Sequence, residues 1–351
     1  MTYTRPMFPH AVDSTMLAAF RSCPQKMLRT YVEHWKPQTE SVHLVAGGAF
    51  AKGLEIARRA FYEQGLPPED CIAKGLEALI RQYGDFECPA DSAKSLERTA
   101  GALEFYFERY PLGEDGMEPI TLSGGRRGIE FSFAEPLDVV HPVSGDPILY
   151  TGRSDLICEY QGGRYIEDDK TASSLGATWS RQWEMRGQFT GYIWAAGRVG
   201  IETQGAVIRG VSILKTKYDT QEAITYRSPW EIDRWYQQTI RDIQRMIACW
   251  CAGWWDYAMD GACAEYGGCS MLSVCKSPEP ELWLPVRFEQ RVWDPLARRE
   301  LTVPEWEASW GHSAAIPVKE PSLEGMVQHA QKPSGAEGID PDELARMLGK
   351  G

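Results

Sequence analysis

The sequence predicts an α+β fold, with a central mixed β-sheet flanked by helices, a helical region before it and a cysteine-bearing region after it. Three observations carry this expectation. Helix-period apolar patterns recur through residues 14–110, a strand–turn–strand pattern occupies 150–170, and a long amphipathic segment runs from Pro229 to about Trp255. A chain of 351 residues can bury a large core as one elaborated domain. Its regions read as an N-terminal helical part (1–120), a sheet core (121–228), a C-terminal helix with a cysteine cluster (229–310) and a loosely ordered tail (311–351).

Taken in order, residues 14–36 read as an amphipathic helix broken at Pro24, where the ring removes an N–H and crowds the preceding turn. Further helices are predicted over 46–64, 69–84 and 95–110. Ile129 to Phe133 gives the first core strand. Leu156, Ile157 and Cys158 lie in the next, Gly162-Gly163 signals a hairpin turn, and Tyr165-Ile166 opens the returning strand. Trp183 to Arg198 reads as a helix, and Val207–Leu214 and Glu222–Tyr226 alternate as closing strands. Ser228 is placed as N-cap of the long helix, with Pro229 at its first position. Trp250, Trp254 and Trp255 cluster at its end; at helical spacing they read as core, with base stacking as the alternative. Pro341 to Leu348 in the tail has a short helical pattern.

Side chains alternate along a strand, so Asp168 and Lys170 share one face of the hairpin while Glu167 and Asp169 share the other. Asp155, on the partner strand, reaches the face of Asp168. Two carboxylates beside an ammonium suit a divalent cation and an activated water, which is phosphodiester-cleaving chemistry. The ordinary alternative is an exposed acidic hairpin with a solvated lysine.

The ordered set of Gly152-x-x-Asp155, then Asp168-x-Lys170-Thr171, then Gln188-Phe-Thr-Gly-Tyr192 resembles the PD-(D/E)XK nuclease superfamily and its restriction-endonuclease-like core. The Gln-x-x-x-Tyr element resembles the RecB-like branch, which includes AddB-like and CRISPR-adaptation exonucleases, and phage origin is part of that reading. An upstream helix of the form G-x-x-x-H-x-x-x-E is matched by Gly47 to Glu55, with Ala51 where the branch has histidine. The resemblance implies Mg²⁺ or Mn²⁺ held by Asp155 and Asp168, with Glu55 and Asp169 as further metal contacts. It implies Lys170 orienting water or stabilising charge on the phosphate, and Gln188 and Tyr192 positioning the strand or the water. The implied activity is a DNA exonuclease acting on ends or single strands in recombination or repair. The alternatives are a structure-specific endonuclease, or a non-cleaving DNA-binding or assembly protein with a decayed nuclease fold.

Nine cysteines form the second pattern. Cys23, Cys263, Cys269 and Cys275 resemble the iron–sulfur staple of AddB-like and CRISPR-adaptation nucleases, which implies a [4Fe–4S] cluster joining the two ends of the core. The C-x5-C spacing departs from the more usual C-x2-C start; structural Zn²⁺ and unligated thiols are the alternatives. Cys71, Cys88, Cys158, Cys249 and Cys251 read as core residues.

A net charge of −12 disfavours non-specific nucleic-acid binding through bulk charge, so phosphate contacts fall to a local groove and to metal ions. Arg126, Arg127, Arg153, Arg181 and Arg186 flank the proposed site in sequence. No run of eighteen apolar residues and no signal-peptide core appear, which predicts a cytoplasmic protein without membrane contact. No P-loop or helicase motif appears, and the tail is the candidate site for a recombination or replication partner.

Overall fold

The computed structural model describes residues 6–122, 125–259, 261–264 and 268–296, all within one compact unit spanning Met1–Val303. The tail from 311, with its expected helix and partner site, lies outside the described residues.

The chain opens with β1 (Ala11–Asp13), whose last residue caps α1 (Ser14–Ser22): the Asp13 carboxylate accepts the N–H groups of Thr15 and Met16, each at 2.8 Å. The expected helix over 14–36 is shorter and divided. Cys23 is extended (φ −161°, ψ 114°) because the residue before a proline is driven out of the helical region, and Pro24 then starts α2 (Pro24–Met27). A π-helical turn (Leu28–Val32) follows, and Trp35–Pro37 forms β2 rather than more helix. Helices α3 (Val42–Tyr62), α4 (Pro68–Tyr83) and α5 (Leu96–Arg109) come next, close to their expected bounds.

The main sheet contains β3 (Glu118–Pro119), β4 (Ile129–Val140), β5 (Pro147–Tyr160), β6 (Gly163–Ala172), β7 (Gly205–Ile213) and β8 (Tyr218–Tyr226), with β1 beside β5. Its main path runs β1-β5-β6-β7-β8, and β3 and β4 also pair with β5. The sheet is mixed: β1–β5 and β6–β7 are parallel, while β4–β5, β5–β6 and β7–β8 are antiparallel. The hairpin turn falls one residue earlier than Gly162-Gly163. Gln161 and Gly162 take positive φ (48° and 78°), as a two-residue primed turn requires, and Gly163 already pairs with Tyr160.

Helices cover both faces. Ile157, Ile166 and Ile208 pack with α1, α7 (Gly187–Arg198) and α8 (Pro229–Ala252), while Val211 and Ile213 pack with α3, α4 and α5. A short α6 (Ala177–Arg181) precedes α7, which begins four residues later than expected because Trp183–Arg186 form turns. Ser228 caps α8 in a reciprocal capping box with Glu231. Trp255 is buried and Trp250 partly so, but Trp254 is exposed, so the core reading fails for that ring. Cys71 and Cys158 are buried; Cys88, Cys249 and Cys251 are only half so.

Beyond α8 lie a 3₁₀ turn (Gly261–Cys263), α9 (Leu272–Cys275), α10 (Pro280–Arg287) and β9 (Phe288–Gln290). β9 pairs antiparallel with β2, Trp35 opposite Gln290, so the cysteine-bearing region is sewn to the start of the chain. Among the described residues no helix is long and apolar enough to cross a membrane.

Candidate active site

The pleat of β6 sorts its charged run as alternation demands. Asp168 and Lys170 form an ion pair on the α7 side, while Glu167 and Asp169 are both held by Arg58 of α3 on the other side. Arg58 donates to Asp169 Oδ2 at 2.7 Å and to Glu167 at 3.3 Å, and its other nitrogen donates to the Tyr106 hydroxyl at 2.9 Å. The Asp169 carboxylate therefore points away from Asp168. Its main chain does not: the Asp169 N–H donates to Asp155 Oδ2 at 2.8 Å, tying β5 to β6 beside the Asp168–Lys170 pair.

From α7, Gln188 Nε2 donates to Asp168 Oδ2 at 3.3 Å and lies 3.1 Å from the Tyr192 hydroxyl. One helical turn separates Gln188 from Tyr192, so both side chains leave the same helix face. Gly152 explains the glycine three residues before Asp155: a Cβ there would meet the rings of Phe133 and Tyr192 at 2.6 and 2.7 Å. Above these groups is a cleft of about 340 Å³ bordered by Ser14, Gly152, Arg153, Gln188 and Tyr192.

The structure brings Asp155, Asp168, Lys170, Gln188 and Tyr192 together, with Asp168 and Tyr192 buried and the other three half-buried. Asp168 is 2 % exposed. Burial, then the charge of Asp168 and Glu130, lifts the Asp155 carboxyl well above the usual range, and burial lifts that of Asp168 against the pull of Lys170. Burial works against charge on Lys170, yet Asp168 and Asp155 outweigh it and hold the ammonium protonated. Burial and then Asp168 push the Tyr192 hydroxyl up to about 12, so it remains a donor at neutral pH.

Glu55 is neither a surface residue nor free. Lys52 Nζ lies 2.5 Å and Arg59 Nε 3.3 Å from its carboxylate, and it is almost fully buried. Its electrostatic neighbours are Glu130 and Arg153, so it joins the edge of the site through them. Glu130 escaped the sequence reading. In Ile129-Glu-Phe-Ser-Phe133 it sits at a position that alternation assigns to solvent, yet it is buried and paired with Arg153 at 2.5 Å. Its φ of 53° places a non-glycine residue in the left-handed region, which costs about 1 kcal/mol or more. Burial and Glu55 raise its carboxyl to about 7, outweighing Arg153.

Two neighbouring carboxylates whose protons are held too tightly are what a divalent cation relieves, and Mg²⁺ is commonly bound by one or two carboxylates with waters retained. Asp155 and Asp168 fit that pattern. Among the described residues no three ligating side chains stand close enough to hold a metal as they are.

All four candidate cluster cysteines are free thiols in one neighbourhood. The Cys275 thiol is raised by burial and then by Cys269, Cys23 and Cys263, so Cys23, from the other end of the chain, lies near enough to act on it. The Cys269 N–H donates to the Cys263 carbonyl at 2.9 Å, and Cys269 and Cys275 pack on a small core of Met271, Val274, Leu284 and Phe288.

No curated protein matches the chain. Among solved structures, a Eubacterium rectale protein described as "Putative exonuclease" is similar at 12% identity, with 72% of this chain and 86% of that chain covered and a TM-score of 0.43. The protein SSO0001 is similar at 15% identity, with 56% and 74% covered and a TM-score of 0.27. The profile of the PD-(D/E)XK nuclease superfamily matches residues 14–276, from the first residue of α1 to the residue after Cys275. That span exceeds half of the chain and takes in α3, the β5–β6 hairpin and α7, each of which sends side chains to the cleft or its edge; the chain belongs to the PD-(D/E)XK nuclease superfamily.

Proposed function

We propose that this protein is a metal-dependent DNA exonuclease of the RecB-like branch, serving recombination or repair. The observation that carries the reading is the convergence of Asp155, Asp168 and Lys170 on one sheet face, with Gln188 bonded to Asp168 and adjacent to Tyr192. Those contacts join the two motifs that were separate in sequence.

Asp155 and Asp168 would hold Mg²⁺ or Mn²⁺, with Glu55 and the Asp169 main chain at the margin. When bound, the metal lowers the pKa of water and offsets charge on the phosphoryl oxygen. Lys170, kept protonated by Asp168 and Asp155, donates to the charge that develops on the phosphate. Gln188 fixes the Asp168 carboxylate through its amide, and the Tyr192 hydroxyl donates toward the strand in the cleft.

Cleavage of end-labelled linear and covalently closed circular DNA, in Mg²⁺, Mn²⁺ or EDTA, tests the proposal. Metal-dependent loss of linear DNA from its ends with the circle intact is expected. Nicking of the circle would make the protein an endonuclease, and no cleavage with either metal would leave a DNA-binding protein.

A second expectation concerns pH. A carboxyl whose folded pKa lies above its unfolded value contributes stability that is full at low pH and lost as pH rises through the folded value. Asp155, Asp168 and Glu130 are all of this kind, and Glu130 alone, lifted from 4.5 to about 7, accounts for on the order of 3 kcal/mol. Metal-free protein should therefore melt at a lower temperature at pH 8 than at pH 5.5, and Mg²⁺ should restore the difference chiefly at pH 8. Equal metal-free melting at the two values would mean that these carboxyls do not share a site.

We further propose that Cys23, Cys263, Cys269 and Cys275 bind a [4Fe–4S] cluster, with Zn²⁺ as the other metal that four thiolates accept. The influence of Cys269, Cys23 and Cys263 on the Cys275 thiol supports this reading.

A further inference from the structure

Helix α7 carries Gln188 and Tyr192 into the catalytic cleft, but its first residue, Gly187, faces a separate cavity of about 210 Å³ between α1, α7 and α8. The first N–H groups of a helix have no partner within it, and no side chain caps α7. The indole of Trp235 points to the same place. It is 92 % buried, its Nε1–H has no acceptor among the described residues, and that nitrogen lies 3.3 Å from where a Gly187 Cβ would stand. Arg21 Nη1 lies 3.0 Å from that point.

Arg227 also lines the cavity and donates to three neutral oxygens: Thr190 Oγ1 at 2.9 Å, the Tyr226 carbonyl at 2.7 Å and the Trp183 carbonyl at 2.9 Å. A buried guanidinium bonded to neutral oxygens favours an anion nearby. Burial accordingly pulls its pKa down. Arg234 stands at the rim with Glu184 and Glu231, and Glu231 is already engaged by the Ser228 N–H and hydroxyl, each at 2.8 Å. Helix amides, an unsatisfied indole N–H and the Nη1 of Arg21, whose Nε is held by Asp242 at 2.7 Å, meet at Gly187, and Arg227 lines the same cavity; together they make a phosphate-sized cradle.

We propose that the first turn of α7, with Trp235, Arg21 and Arg227, binds a non-scissile phosphate of the DNA substrate. The phosphate chemistry follows from the cradle alone; its source in DNA rests on the nuclease reading. Gly187 and Gln188 are consecutive, so one helix turn would grip the strand at this phosphate while presenting Gln188 to the bond that is cut.

The test uses the full chain in EDTA, labelled with ¹⁵N at its tryptophan indoles, with Trp235→Phe identifying the signal. Inorganic phosphate should move the Trp235 indole N–H resonance. Gly187→Ala, whose Cβ would enter the cradle, should weaken that response about tenfold or more without lowering the melting temperature. Oligonucleotides with a 5′-hydroxyl that move the signal would identify an internal phosphodiester as the ligand; movement only with a 5′-phosphate would identify a terminal phosphomonoester. A Trp235 signal unmoved by phosphate and by both oligonucleotides overturns the proposal. A Trp235 response in a protein that cleaves nothing would keep the phosphate site and remove the nuclease reading, whereas cleavage without any response would do the reverse.

Discussion

Replacing Lys170 with alanine is expected to lower DNA cleavage at least about a hundredfold, because on the proposed mechanism it removes the cation that meets the developing negative charge. Asp168→Asn should do the same through loss of the carboxylate to which the proposal assigns the metal and which Gln188 contacts. The two variants should differ in stability. Lys170→Ala leaves Asp168, which is 2 % exposed, without its ammonium, and should cost about 2 kcal/mol at pH 8. That cost should shrink as pH falls, because burial already raises the Asp168 carboxyl and the lysine charge that pulls it down is gone. Asp168→Asn leaves Lys170 with Asp155, and its side chain, 31 % exposed, keeps contact with water, so the loss should be smaller. Single-turnover cleavage rates and denaturant melts at pH 8 and pH 5.5 check this. Near wild-type cleavage by both variants would remove the β6 pair from the chemistry.

Anaerobically purified protein should be brown if the four thiols bind a cluster, and serine at Cys23, Cys263, Cys269 or Cys275 should each bleach it. A link from Cys23 to Cys263 closes a very long loop, so loss of the cluster should remove roughly 4 kcal/mol of stability and about 10 °C of melting temperature. Serine at Cys249 or Cys251 should leave the colour intact, because both belong to α8 and not to the segment that carries Cys263, Cys269 and Cys275. Metal content, absorbance and melting curves distinguish the outcomes. Colourless protein with stoichiometric zinc would keep the staple and change its ion; colourless, metal-free protein of unchanged stability would eliminate it.

The sequence was most legible where chemistry and strand alternation coincide. Asp168 and Lys170 on one face, Glu167 and Asp169 on the other, follow from the two-residue period alone, and the structure places them so. The Gln188–Tyr192 spacing likewise set both residues on one helix face. Boundaries were less legible. The break at Pro24 was legible, but the helix expected to run on to 36 gives way to a π-helical turn and to β2, which pairs with β9 from far along the chain, and a primed turn needs two residues of positive φ, which shifted the hairpin from Gly162-Gly163 to Gln161-Gly162.

By itself, then, the sequence determined the motif set, the alternation that groups it and the superfamily those motifs resemble, because these depend on local period and residue type. Only the tertiary structure decided what surrounds the motifs. Glu130 looks like a solvent-facing strand residue until α3 brings Glu55 beside it and β5 supplies Arg153, and burial makes its carboxyl a strong proton holder. Arg58 reads as one surface arginine among many until it is found beneath β6, holding Glu167 and Asp169 on the face opposite the cleft. Trp235 shows no special signal in a helix rich in aromatic residues, yet its N–H ends without an acceptor at Gly187. In each case the deciding quantity is desolvation by a segment distant in the chain, which no local pattern encodes.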